Sequence, residues 1–254
     1  MEKMEGMLRS MRLLEAKKAG LRIGGKGMEA VDGERTTLVE SRAVGKVLLE
    51  KEVSAEGLIQ AVGKNLCPLR SIQCRKMGEN IFLFTFLQAS GKKKALDSGP
   101  WMLNNDLVVV VDFDPNKALE EYVFSRVPIW VQVLKLPLGG MDRVTGEMIR
   151  EKVGDFVDVE VGKDRMAEGE SLRIKVKPNI TKPLMRGTVI HIGDDERVRW
   201  CPFWYEYLTE FCYICGVIGH EEKNCSVSLT KQEEKQFGSW LGAYIPRNQF
   251  SSEK

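Results

Sequence analysis

The sequence predicts an α+β protein: two small folded units followed by a C-terminal metal-binding segment. Short apolar runs of period two alternate with runs of period 3.6, and Pro and Gly punctuate them. Three cysteines and a histidine crowd together near the C-terminus. The 254 residues leave room for one large domain or two small ones, and 43% apolar residues suffice for packed cores. No stretch approaches the roughly 18 continuous apolar residues of a membrane span. The opening Met1-Glu2-Lys3 is charged and lacks the apolar run of a signal peptide, which predicts an intracellular protein of nucleus or cytoplasm. With 38 basic and 36 acidic residues the net charge is only +2, so any grip on nucleic acid must come from a local patch.

Residues 1–36 are rich in Met, Lys, Glu and Gly and read as a flexible arm with a short helix over Met7–Lys18. The first unit, 37–116, opens with the strand-like run Ala43–Leu49. Ser54 is an N-cap for a helix through Leu58, Ile59 and Val62, with Pro68 past its end. A strand over Ser71–Met77, a turn at Gly78-Glu79-Asn80 and a strand over Ile81–Phe86 follow. A helix near Ser90–Leu96 and a strand at Leu107–Val111 complete the unit. This order is the split βαβ pattern, βαββαβ, of ferredoxin-like and RNA-recognition-like domains. Phe82, Phe84 and Phe86 alternate with Ile81, Leu83 and Thr85, so both strand faces are apolar and burial is expected.

A second small α+β unit, 127–205, begins with the strand Ile129–Leu134, stopped by Pro137. Met141–Val153 reads as a helix with Val144, Met148 and Ile149 on its apolar face. Strands are expected at Phe156–Val161, Ser171–Lys177, Thr188–Ile192 and Arg197–Phe203, with mostly antiparallel pairing. The metal-binding segment, 210–227, and a polar tail, 228–254, follow.

Cys212, Cys215, His220 and Cys225 have the spacing C-x2-C-x4-H-x4-C. Three thiolates and an imidazole make a closed tetrahedral shell for one structural Zn2+, with no open position for a catalytic water. Gly216 and Gly219 permit the tight turn that so short a loop needs. A segment without its own core must draw its folding free energy from the metal. The other cysteines, Cys67, Cys74 and Cys201, are scattered, unlike a disulfide framework.

This pattern resembles the retroviral-type (CCHC) zinc knuckle, a module that binds single-stranded nucleic acid. From Val44 to Trp240 the chain also resembles a plant retrotransposon-derived, LINE-type family in which a domain of unknown function precedes such a knuckle. The resemblance rests on Val44-Gly45-Lys46, Asn80–Phe84, Gly99-Pro100-Trp101, Val127–Val131, Leu136-Pro137, Thr181–Leu184, Arg186-Gly187, Cys212–Cys225 and Trp240-Leu241. It implies zinc and nucleic-acid binding and no enzymatic activity. The chain departs from nucleic-acid-gripping knuckles at Val217, where they usually carry a basic residue, and at Glu221-Glu222, whose carboxylates repel phosphate. Tyr213 offers a stacking platform and Ile218 an apolar wall, although Tyr213 serves equally well as packing.

In Ser171–Lys177 the cations Arg173, Lys175 and Lys177 alternate with apolar residues and project from one sheet face, and Arg197 and Arg199 repeat the pattern. If the two strands are neighbours, five cations line one surface for a phosphate backbone. Asp158 and Glu160 alternate likewise and stand ready to neutralise it. Enzyme signatures fail. Gly20–Gly27 nearly spells a P-loop but lacks its Ser or Thr, and His191 has no nucleophile elbow nearby. The sequence therefore predicts a non-enzymatic zinc protein with single-stranded nucleic acid as partner and neither membrane nor small-molecule substrate. The alternative is a protein-interaction adaptor whose zinc is purely structural.

Overall fold

The computed structural model describes residues 41–49, 51–66, 72–104, 106–193, 197–229 and 234–243. All of them belong to the compact unit Leu38–Lys254. The 1–36 arm with its Met7–Lys18 helix, the Gly20–Gly27 run, Cys67 and most of the 228–254 tail lie outside the described residues. The architecture is α+β, built on two five-stranded antiparallel sheets.

In the first sheet, β1 (Arg42–Val47) precedes α1 (Ala55–Leu66), β2 (Gln73–Gly78), β3 (Ile81–Thr85), α2 (Ala89–Asp97), β4 (Trp101–Leu103) and β5 (Asp106–Asp112). The strand order is β2-β3-β1-β5-β4. Ser54 caps α1 as its sequence position predicts, its Oγ accepting from the Gly57 amide at 3.1 Å. Asn80 takes φ +53 in the β2–β3 turn, and its side chain bonds the Val53 amide and the carbonyls of Leu49 and Lys51. Phe82, Phe84 and Phe86 are fully buried under the helices with Val47, Leu58 and Val62, so these rings are core and not a base-stacking surface. β4 is an addition to the expected order. Three residues are too few for a periodicity signal, and the strand exists because a tight turn at Asn104, φ +57, folds it back onto β5.

The second sheet comprises β6 (Ile129–Leu134), β7 (Asp155–Glu160), β8 (Ser171–Lys177), β9 (Gly187–Ile192) and β10 (Arg197–Tyr205), in the order β7-β8-β6-β10-β9. α3 (Arg143–Val153) starts at Asp142, whose carboxylate accepts from the Thr145 amide at 2.8 Å. The helix buries Gly146, Ile149 and Val153. Val144 and Met148, expected on the same face as Ile149, are 65% and 68% exposed. Gly146 explains the correction. A Cβ there would lie 3.1 Å from both Ile174 and Val159, so the helix approaches the sheet closely along the stripe that contains the glycine. Among the described residues, no helix is long and apolar enough to cross a membrane.

A third apolar cluster joins the sheets: Leu107 and Val109 from β5 meet Val127 and Ile180, with Leu48, Phe124 and Ile218 packed against them. The side of the first sheet away from its helices is thereby partly covered by the second unit and by the Cys/His segment.

Candidate metal centre and nucleic-acid interface

The donor atoms of Cys212, Cys215, His220 and Cys225 all lie within 4.8 Å of one another, and Cys215 Sγ is 3.3 Å from His220 Nε2. Zinc bond lengths of about 2.0–2.3 Å imply tetrahedral edges of roughly 3.5–3.8 Å, so the four donors fit the ion. Gly216 and Gly219 have φ +74 and +95, the left-handed conformation the loop demands. The Gly216 amide donates to the Cys212 carbonyl at 2.8 Å, closing the first turn. Burial pushes the Cys212 thiol up, but the amides of Cys215 and Ile214 donate to it and hold it below the ordinary thiol value. Cys215 is pushed up to about 11 by burial, with Cys212 and Cys225 crowding it. The Val227 amide reaches Cys225 Sγ at 3.4 Å. With four protein donors the clasp is saturated and structural.

Residues 179–227 match the family model described as zinc knuckle. The match begins before β9, so the β9–β10 hairpin and the clasp form one similar stretch. No curated protein matches the chain.

The knuckle is packed into the body. Tyr213 lies edge-on to Phe211 at 5.1 Å between ring centroids and packs on the second sheet's core. Ile218 packs against that core and against the cluster joining the sheets. Phe237 from the C-terminal segment covers Gly216 so closely that a Cβ would enter its ring, and Arg186 lies 5.8 Å from that ring. Gly216→Ala combines this overlap with a positive φ and is expected to cost about 1–3 kcal/mol. Thermal melting of the zinc-loaded protein measures it, and an unchanged midpoint would contradict the close packing.

The predicted cationic stripe is divided, and its members Arg173 and Lys177 are paired with carboxylates. β8 and β10 are not neighbours, because β6 lies between them. Arg173 donates to both oxygens of Glu206, at 2.7 and 2.8 Å, and to Glu160 at 2.8 Å, while its guanidinium lies 4.2 Å over Trp130. Burial opposes its charge, but the bonds to Glu206 and Glu160 prevail and raise its pKa. Lys175 is 9% exposed and 5.2 Å from the Trp130 ring, and burial lowers its pKa. Lys177 pairs with Asp97 at 2.8 Å. Arg197 and Arg199 are exposed on the β9–β10 hairpin, Arg199 reaching the Lys135 carbonyl at 3.4 Å.

The same sheet carries aromatic groups that the sequence reading did not select. The cross-strand partners Trp204 and Gln132, and Gln132 and Arg173, place Trp204 on the open face with Arg173. Trp200 lies on that face too, and the two indoles are 49% and 38% exposed for Trp200 and Trp204. The available signal was the two-residue period Trp200, Pro202, Trp204 within β10.

Proposed function

We propose that the chain is a zinc-dependent nucleic-acid-binding protein of plant retroelement, LINE-type origin, binding single-stranded RNA or DNA without catalysis. In this reading 37–116 is a ferredoxin-like or RNA-recognition-like domain, and the order β2-β3-β1-β5, with β3 between β1 and β2, supports it. The remaining parts are the second unit 127–205 and the knuckle 210–227. Free thiols at a zinc site favour nucleus or cytoplasm. The observation that carries the reading is the open face of the second sheet, which presents exposed Trp200 and Trp204 and, across β6, the Arg173 guanidinium fixed on Trp130. Indoles on an open sheet face stack bases at about 1–3 kcal/mol each. Since Arg173 and Lys177 are already paired with carboxylates, phosphate contacts are few and stacking dominates.

Fluorescence anisotropy with labelled single-stranded oligonucleotides tests this. Replacing both Trp200 and Trp204 by alanine is expected to weaken binding at least about tenfold. The log–log salt slope of the natural chain is expected to be shallow, about two or less in magnitude. An unaltered affinity in the double variant would reject the tryptophan face.

A second reading, a protein-interaction adaptor, is favoured by the knuckle itself. Its Tyr213 and Ile218 are engaged in packing, and Glu210, Glu221 and Glu222 line the 550 Å³ cleft beside it. Absence of oligonucleotide binding even at low salt would leave that reading.

A further inference from the structure

We propose that the knuckle is a zinc-gated wedge that couples the two sheets, a role independent of nucleic-acid binding. Each sheet has its own core, one built with α1 and α2 and the other with α3. Besides the Lys177–Asp97 ion pair, the two are joined among the described residues by an apolar junction of Leu107 from β5 with Ile129 from β6, Val127, Ile180 and Leu184, and Ile218 sits in its wall. Only about 10 Å³ is left there, and half-buried Ile218 packs with Leu107 and Ile180 along it.

The metal fixes that side chain because Cys215 and His220 bracket it. Residues 216–219 form the short arc between these two ligands, and both glycines of the arc hold positive φ. The arc is moored to the body by the Leu184 amide on the Gly216 carbonyl at 2.9 Å, and Ile218 bridges to Phe211. Sharing Ile180 and Ile218 with the junction, a groove of about 940 Å³ runs past Lys46 and Phe124. Without the ion, a four-residue arc with two conformationally free glycines is held, among the described residues, by a few backbone bonds and apolar contacts. Zinc withdrawal then unseats Ile218, extends the groove into the junction, and leaves each sheet folded on its own core.

Hydrogen exchange of the full chain, followed by mass spectrometry with zinc bound and after chelation, tests the wedge. Metal removal is expected to speed exchange at least tenfold at 106–109, 127–129, 180–184 and 216–219. The β3 amides around Phe82–Phe84 and the β8 amides around Leu172–Ile174 are expected to stay protected. Ile218 supplies no ligand atom, so Ile218→Asp is expected to keep one zinc per chain and still reproduce the same local pattern. Ile218→Ala serves if the charged variant fails to fold, with the same segments affected to a smaller degree. Unchanged protection at 106–109 and 180–184 in the metal-free chain would overturn the proposal. So would loss of protection throughout both sheets, since the metal would then be supporting the whole fold. Normal junction protection in a zinc-loaded, folded Ile218 variant would overturn it as well.

Discussion

Cys215→Ser is expected to abolish stoichiometric zinc binding and to bring the largest fall in thermal midpoint of any single substitution in the knuckle. Structural zinc sites contribute apparent binding free energies of about 10–16 kcal/mol at neutral pH. Most of that free energy folds the clasp itself, a segment without its own core, so its loss is expected to disorder the clasp while the two sheets stay folded on their own cores. Cys215 lies 3.3 Å from His220 Nε2, and the four donors close within 4.8 Å, so a hydroxyl in its place removes one corner of a saturated shell. Elemental analysis after gel filtration reads the stoichiometry directly. Cys74→Ser is the control, because Cys74 lies in β2, packed against the first sheet's core, and takes no part in the clasp. Thiols give up their protons to bind zinc as thiolates, and the Cys215 thiol is pushed up to about 11 by burial. Zinc must displace those protons, so affinity is expected to rise with pH and to fall on acidification. A Cys215→Ser chain that kept one zinc would remove the site's basis.

How much of this was legible in the sequence depends on how far apart the interacting residues are. The clasp was readable because its ligands occupy one short segment and the glycines that turn it lie within it. The principal strands were readable for the same local reason, since a period of two needs only five or six residues to declare itself. Ser54 and the Asn80 turn followed from capping and turn chemistry. The face of α3 was misread because hydrophobicity alone weights Val144 and Met148 and gives no weight to Gly146, which touches the sheet. The cationic stripe was seen as a pattern, and Glu160 was recognised as a neutraliser. Glu206 and Asp97 were not, because they lie 33 and 80 residues from their partners. The interposition of β6 is likewise a pairing choice that no local signal encodes. The same holds for Ile218, whose position between ligands looks like a recognition wall until Leu107 and Ile180 are brought against it.

Glu206→Ala is expected to destabilise the second unit by about 1–3 kcal/mol, because it strips hydrogen bonds from a guanidinium that is 32% exposed and keeps Glu160. Glu206 is 3% exposed and accepts from Gln132 at 2.9 Å as well as from Arg173 through both oxygens. Without it the inner edge of the guanidinium faces Gln132 and the Trp130 ring, and only Glu160 remains as counter-charge. Removing both charges together, as Arg173→Met with Glu206→Leu, is expected to cost far less than the single change, because no charge is left stranded. Denaturant unfolding of the two singles and the double yields the coupling. A single-variant loss below about 1 kcal/mol would mean the pair is well hydrated and its burial overstated. Glu206→Gln separates stability from recognition. It keeps the side-chain shape while releasing one positive charge on the tryptophan face. If single strands lie there, the salt slope of binding should steepen by about 0.7, the value for one added phosphate contact. An unchanged slope with intact stacking affinity would place the phosphates away from Arg173 and leave the bases alone on that face.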